Sequence, residues 1–208
     1  MTRAVLRWPG LLLALFLGAC SGLNQPIPGS ATQSTSQVEH PAPPEFWQIR
    51  SRLSVRHGQQ AWSGSLRWHH LAGGDEITIR DPIGRTRLRA SDLPDKDNPQ
   101  LRAPATLQLA GQPVRHGESV EDLLRSVGEL AIPFEHFPAW LTATPGKTSA
   151  TSTDPDSGLI TQITDHGWTI TYQQYRSTNG VQLPRKLLIS GHDTEIRMVI
   201  SKWLPAAR

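Results

Sequence analysis

The 208-residue chain is predicted to be mainly β, an open (incomplete) antiparallel barrel of about 10–11 strands with a short helical insert plugging its cavity. Three observations predict this class. From Phe46 onward, apolar and polar residues alternate with a period of two, the pattern of half-buried strands. Short turns rich in Gly, Asn and Asp separate the alternating runs at hairpin spacing. The period becomes helical only once, after Gly117. A meander of this kind must close on itself or have its apolar face covered, and the helical stretch is the natural cover.

The first strand places Ile49, Ser51, Leu53 and Val55 on one face and Gln48, Arg50, Arg52, Ser54 and Arg56 on the other, with Phe46 and Trp47 at its entrance. After a turn at His57-Gly58-Gln59-Gln60, the second sets Trp62, Gly64, Leu66 and Trp68 opposite Ser63, Ser65, Arg67 and His69. Gly73-Gly74 leads to a strand with Ile77 and Ile79, the tight turn Asp81-Pro82-Ile83-Gly84, and a strand through Leu88. A fifth strand carries Leu107 and Leu109; the polar segment 91–104 has no clear assignment. Val120, Leu123, Leu124 and Val127 recur at helical spacing between an N-cap at Ser119 and a stop at Gly128. A second short helix, Pro133 to about Leu141, presents Phe134, Phe137, Trp140 and Leu141, and Pro138 argues against its being long. Thr142 to Ser157 reads as a loop. Alternation returns at Leu159–Thr164 and at Trp168, Ile170 and Tyr172. Turns at Asp165-His166-Gly167, Asn179-Gly180 and Gly191-His192-Asp193 frame these and the last strands, Arg185–Ser190 and Thr194–Trp203.

Ahead of this domain, Arg3 and Arg7 precede an apolar run, Leu11 to Leu17, and then Leu17-Gly18-Ala19-Cys20. A charged start, a short apolar core and small residues before a cleavage point make a secretory signal, and the run is about half the 20 residues a membrane span needs. With Cys20, the sole cysteine, after the small pair, the stretch resembles the lipobox of bacterial lipoproteins. That resemblance implies cleavage before Cys20 and a diacylglycerol on its thiol. Ser21, rather than an aspartate, follows it. Residues 1–19 form the signal peptide, 20–44 the lipidated cysteine and a flexible tether, and 45–208 the barrel domain. The tether is rich in Ser, Thr, Gln, Pro and Gly and lacks the apolar residues that would order it. Treated as a coil it spans about 25–30 Å.

Removing the leader leaves 19 of the 21 basic residues against all 18 acids, a formal charge of +1, which gives little support for a nucleic-acid surface. With its thiol lipidated the chain has no internal disulfide, so a packed core must hold it. No catalytic constellation is legible. His69 and His70, near Asp75 and Glu76, point to opposite faces of a strand, and no pair at metal-ligand spacing follows. His57, His116, His166 and His192 lie at turns and His136 in the insert; Ser63 and Ser65 sit in no nucleophile elbow. The expectation is a protein that is not an enzyme and has no metal and no cofactor beyond the lipid on Cys20. The inward apolar residues, Ile49, Leu53, Trp62, Leu66, Trp68, Leu107, Trp168, Ile170 and Trp203, can be either a packed core or the wall of a cavity.

Several stretches together resemble the LolB family of outer-membrane lipoprotein receptors: Trp62-Ser63-Gly64-Ser65-Leu66-Arg67-Trp68, Asp81-Pro82-Ile83-Gly84, Ile132-Pro133-Phe134 leading to Trp140-Leu141, Gly167-Trp168-Thr169-Ile170-Thr171-Tyr172, and Leu183-Pro184-Arg185-Lys186-Leu187. Their order and spacing carry the likeness, from about Phe46 to Trp203. The chain departs from the family where glycine is common, at Ser51 and near Ala143. The resemblance implies an outer-membrane protein, lipid-anchored and facing the periplasm. Such a protein takes lipoproteins from a LolA-like periplasmic carrier and inserts them into outer-membrane lipid without nucleotide, acting as a monomer. It also implies that the inward apolar residues, with Trp140, line an acyl-chain cavity, and that Pro82, Ile83 and Gly84 form a membrane-insertion loop. The alternatives are another lipid-binding or assembly lipoprotein of the envelope, or a tethered hydrolase with a histidine–carboxylate site.

Overall fold

The computed structural model describes residues 41–93, 104–126 and 134–205. The expected signal peptide, Cys20 and the expected tether up to residue 40 lie outside the described residues, as do residues 94–103, Val127, Gly128 and Pro133. The strands are β1 (Trp47–His57), β2 (Gln60–Leu71), β3 (Gly74–Arg80), β4 (Thr86–Ser91), β5 (Ala105–Leu109) and β6 (Arg115–Gly117). Then come α1 (Val120–Ser126), a 3-10 turn (Phe134–His136) and α2 (Phe137–Leu141), followed by β7 (Ala150–Thr153), β8 (Ile160–Asp165), β9 (Trp168–Thr178), β10 (Val181–Gly191) and β11 (Thr194–Pro205).

All eleven strands belong to one sheet, in the order β6-β5-β4-β3-β2-β1-β11-β10-β9-β8-β7, and every pairing is antiparallel. The first and last strands pair at its centre, Leu53 opposite Met198 and Val55 opposite Ile196. Among the described residues β6 and β7 each have one neighbour, so the sheet is not closed into a barrel. These two edges are consecutive in sequence, and the helical insert is the chain that joins them.

Alternation decides which face is buried. Trp47, Ile49, Ser51, Leu53 and Val55 are buried along β1, while Arg50, Arg52, Ser54 and Arg56 are exposed. Three hairpins, β8–β9, β9–β10 and β10–β11, are set by two-residue turns with positive φ: His166 and Gly167 at 48° and 79°, Asn179 and Gly180 at 51° and 82°, His192 and Asp193 at 48° and 57°. Two positive-φ residues match the twist of the flanking strands. Pairing of His57 with both Gln60 and Thr194 puts the β1–β2 and β10–β11 turns at one end of the sheet. The β3–β4, β5–β6 and β8–β9 turns lie at that same end.

The insert is pinned at both ends. At its start, Ser119 Oγ accepts the Asp122 N–H at 3.0 Å and donates to Asp122 Oδ2 at 2.7 Å, a reciprocal cap of α1. Val120, Leu123 and Leu124 are buried. Pro138 lies in the first turn of α2, where its missing N–H costs nothing, so it starts the helix rather than breaking it.

The structure differs from expectation in two places. β7 runs through the expected loop 142–157, and all four of its residues are exposed. It is held by its ladder to β8 alone, so its side chains carry no buried alternation. β6 is three residues long, too short for a period to register.

Both departures from the glycine-favoured pattern have physical consequences. Ser51 is buried where the register between β1 and β11 shifts, and its hydroxyl has no hydrogen-bond partner among the described residues. Ala143 follows α2 with φ at 55°, a left-handed conformation that costs an L-residue about 1–2 kcal/mol. Glycine relieves that strain but adds freedom to the unfolded chain. Ala143→Gly is therefore expected to stabilise the protein by a few tenths to about 1 kcal/mol, read as a rise in the midpoint of urea unfolding.

Candidate functional site

The concave face is divided between packing and space. At the end away from the β1–β2 turn it is filled by tryptophans. Trp47 lies 5.5 Å from Trp68 and 5.4 Å from Trp203, ring centre to ring centre and edge to face. Each indole N–H that could be stranded has an acceptor: Trp203 donates to the Pro184 carbonyl at 2.8 Å and Trp68 to Asp75 Oδ1 at 2.6 Å. Asp75 also receives His70 Nδ1 at 2.8 Å. On the β8–β10 side, Trp140 of α2 packs 6.0 Å from Trp168, and Ile163, Ile170 and Ile189 of the same three strands are fully buried.

Between these two packed regions lies a cavity of about 380 Å³, within the range of small-molecule pockets. Leu53 and Val55 of β1, Ile196 and Met198 of β11, Leu66 and Trp68 of β2, and Ile77 and Ile79 of β3 form its floor. Leu88 and Leu109 extend it towards the sheet edge, and Leu124, Phe134 and Phe137 of the insert form its opposite wall. Gln112 and Arg115 stand where the β5–β6 turn meets it. Phe137 stacks on Trp68 at 6.2 Å and on Phe134 at 5.5 Å, so the insert's aromatics complete the wall without filling the space. At the end bearing the β1–β2 and β3–β4 turns, Trp62 lines the cavity while 41% exposed; the cavity opens there.

The sequence-predicted inward residues divide accordingly. Leu53, Trp62, Leu66 and Trp68 line the cavity. Ile49, Leu107, Trp140, Trp168, Ile170 and Trp203 are buried but are not part of its lining. Ile49 and Trp203 sit at the tryptophan-filled end, α1 packs on the strand of Leu107, Trp168 packs against Trp140 of α2, and Ile170 is fully buried beside it on β9. Period-two alternation assigns a face, not a height along the strand, so it could not separate the two groups. Val55, Ile196, Met198, Leu124 and Phe134 are lining residues not named as cavity wall; strand alternation was the available signal for the first three and the apolar spacing of the insert for Leu124 and Phe134.

Ile83 is 75% exposed at the tip of the β3–β4 hairpin. Its turn is braced by its own first residue: Asp81 Oδ1 accepts the N–H groups of Ile83 at 3.2 Å and Arg85 at 2.9 Å, and Arg85 Nε donates to Asp81 Oδ2 at 2.8 Å. Pro82 fixes the second position and Gly84, at φ 89°, takes the left-handed one. The Arg85 side-chain hydrogen bond holds the Asp81 carboxyl below its usual range. An apolar side chain is thus held out in water by a rigid turn.

A polar clasp that was not foreseen fastens the insert to the β8–β9 turn. Asp165, 8% exposed, accepts Trp140 Nε1 on Oδ2 at 3.0 Å, and Ser149 Oγ and His166 Nδ1 on Oδ1, each at 2.9 Å. His136 stacks on His166 at 4.2 Å and brings Nδ1 to 3.8 Å from Oδ2. These three titratable residues come from segments some 30 positions apart, so no local spacing announced them. Their ligand atoms lie within 4.8 Å of one another, yet both carboxylate oxygens already accept protein donors. Burial pushes the Asp165 carboxyl upward, but the hydrogen bonds from Trp140, Ser149 and His166 outweigh it and keep it below the usual carboxylate range. Tyr172 OH donates to the Trp140 carbonyl at 2.7 Å and adds a second tie.

A family described as "Outer membrane lipoprotein LolB" matches residues 45–203. The protein named outer-membrane lipoprotein LolB from Thiobacillus denitrificans is 31% identical over 196 residues, 93% of this chain and 95% of that one. The one from Stutzerimonas stutzeri is 29% identical over 198 residues, 93% and 92% of the two chains. Among solved structures, a putative outer membrane lipoprotein-sorting protein domain from Vibrio parahaemolyticus aligns over 76% of this chain and 84% of its own, at 11% identity and a TM-score of 0.47.

Because Asp165 is held below the unfolded value of 3.8, its contribution to stability is complete above that pH and is lost as pH falls through the folded pKa. Asp165→Asn is expected to destabilise the protein by about 1.5–3 kcal/mol at neutral pH, the range for hydrogen bonds to a charged group. The gap from wild type should narrow below pH 3.8, measured by urea unfolding at both pH values.

Proposed function

The chain belongs to the LolB family of outer-membrane lipoproteins, and from that premise we propose that it receives lipoproteins from a periplasmic carrier and inserts them into the outer membrane. In this reading it stands on the periplasmic face of that membrane, anchored by lipid on Cys20 and reaching outward on residues 21–44. It is a receptor rather than an enzyme.

The observation that carries this reading is the apolar cavity, which opens at the end where Ile83 projects. An acyl chain exposed to water costs about 0.8 kcal/mol per methylene, about 12 kcal/mol for sixteen carbons. A receptor must therefore offer apolar surface throughout the handover. Leu53, Leu66, Ile77 and Met198 offer it from the sheet, and Phe134 and Phe137 from the insert. No nucleotide is invoked, so transfer runs downhill in affinity from carrier to receptor to bilayer. Ile83 touches the bilayer at the last step. Its brace through Asp81 matters because a stiff tip loses little freedom on entering lipid.

The test is made with the lipid-anchored protein in proteoliposomes, mixed with carrier loaded with a lipoprotein. Cargo should move to the vesicles; cargo that stays with the carrier overturns the proposal. In the same assay Ile83→Glu should still strip cargo from the carrier but deliver it to lipid at least about tenfold more slowly, because an acidic group in the bilayer interior is disfavoured by about 3 kcal/mol relative to isoleucine. Delivery at the wild-type rate removes Ile83 from the mechanism.

A further inference from the structure

The outward face of β1–β4 carries a field of arginines with almost no counter-charge among the described residues. Arg50 and Arg52 point outward from β1, Arg67 from β2, Arg80 from β3, and Arg87 and Arg89 from β4; all six are exposed. None has an ion pair among the described residues, whereas Arg56, Arg85, Arg125 and Arg197 do. Glu76, the acid on this face among the described residues, is engaged by His69 at 3.2 Å. Register makes the crowding sharper. Arg50 stands directly opposite Arg67, and Arg52, Ser65 and Arg80 stand in one row across β1, β2 and β3. Like charges directly opposite on neighbouring strands destabilise a sheet. A shallow groove runs among these residues, walled by Arg50, Arg52, Arg67, Arg80 and Arg89. The chain past residue 19 is close to neutral, so this is segregation of charge and not overall basicity.

We infer that this face docks on an anionic phospholipid bilayer, its guanidinium groups binding headgroup phosphates beside the point where Ile83 enters. Arginine suits that partner because its planar fork matches phosphate oxygens and is weakly hydrated. A lipid surface is favoured over an acidic protein by what adjoins the patch. The β3–β4 hairpin that carries Arg80, Arg87 and Arg89 ends in the exposed Ile83. Cations grading into an apolar tip follow the order of a membrane interface, headgroups first and hydrocarbon beyond. The inference rests on the receptor function proposed above and adds to it an orientation: the domain leans its β1–β4 side on the bilayer.

The test uses the lipid-anchored protein with Ser65→Cys, placed in the row between Arg52 and Arg80, bearing a fluorophore. It is reconstituted in vesicles of phosphatidylcholine alone or with a third phosphatidylglycerol, each containing a headgroup-labelled quencher. The label should be quenched in the anionic vesicles, and quenching should fall in high salt. Millimolar inorganic phosphate should not displace it. Arg67→Gln with Arg89→Gln should lower the docked-to-free ratio about 25-fold, about fivefold for each charge. Arg67→Gln alone should raise the midpoint of urea unfolding, since it relieves the repulsion from Arg50; an arginine serving the fold would lower it. Equal quenching in both vesicle types, quenching indifferent to the two substitutions, or its displacement by inorganic phosphate overturns the inference. So does a pair of substitutions that slows uptake from the carrier while leaving quenching intact, which would assign the face to a protein partner. Cargo transfer measured on the same vesicles separates the two proposals: transfer without quenching defeats the docking face alone, and no transfer at all defeats the receptor reading.

Discussion

An antiparallel sheet that curls without closing leaves two edges and a concave apolar face, and the arrangement of this protein follows from that problem. The edges, β6 and β7, are exposed three- and four-residue strands, and short edge strands offer little template for a neighbouring chain. The apolar face is covered by the chain that connects them. A long helix would fill the interior. Two short ones, each tied to a different half of the sheet, cover it and leave a gap. α1 packs on β5 and β6, while α2 is fixed to the β8–β9 hairpin through Asp165 and Tyr172. The cavity is what remains between two anchored covers.

That arrangement explains why the polar clasp at Asp165 matters to an otherwise apolar interior. α2 has five residues, far too few to be stable by backbone hydrogen bonding alone. Its position rests on Phe137, Trp140 and Leu141 being buried and on one indole N–H meeting a buried carboxylate. Hydrogen bonds made to a charge are about twice as strong as neutral ones, and this one sits next to the side chains that form the cavity's roof.

The sheet was largely legible in the chain because its signals are local. Alternation marks β1, β2, β8 and β9, and the turns Asn179-Gly180, Asp165-His166-Gly167 and Gly191-His192-Asp193 mark where strands reverse. What was not legible depends on distance in sequence. β7 has no buried side chain to reveal it, and the clasp joins His136 to Asp165 and His166 across a connection of nearly thirty residues. The boundary between core and cavity was illegible for a different reason. Leu53 and Ile49 alternate identically on β1, and only their height decides that one faces space and the other the packed tryptophans. Ile83 was conspicuous as an apolar residue in a turn. Its exposure is a fact of the fold, set by the Asp81 brace.

The two faces of β1–β4 show how one alternating pattern can serve two purposes. On each strand the inward residues, among them Leu53, Leu66, Ile77 and Leu88, border the cavity. The outward ones between them, Arg52, Arg67 and Arg89, make the uncompensated basic face. A sheet under selection for stability alone would intersperse acids there, as β11 does where Glu195 meets Arg56 and Arg197. Among the described residues such pairing is absent on the neighbouring strands, beside an apolar tip, and the like charges it leaves facing one another lie on the side where lipid handling is proposed. Cavity, tip and basic face are therefore one construction on the β1–β4 half of the sheet. On the other half, Trp140 of α2 packs on Trp168 and donates to Asp165, so the insert is fastened on the side away from the basic face.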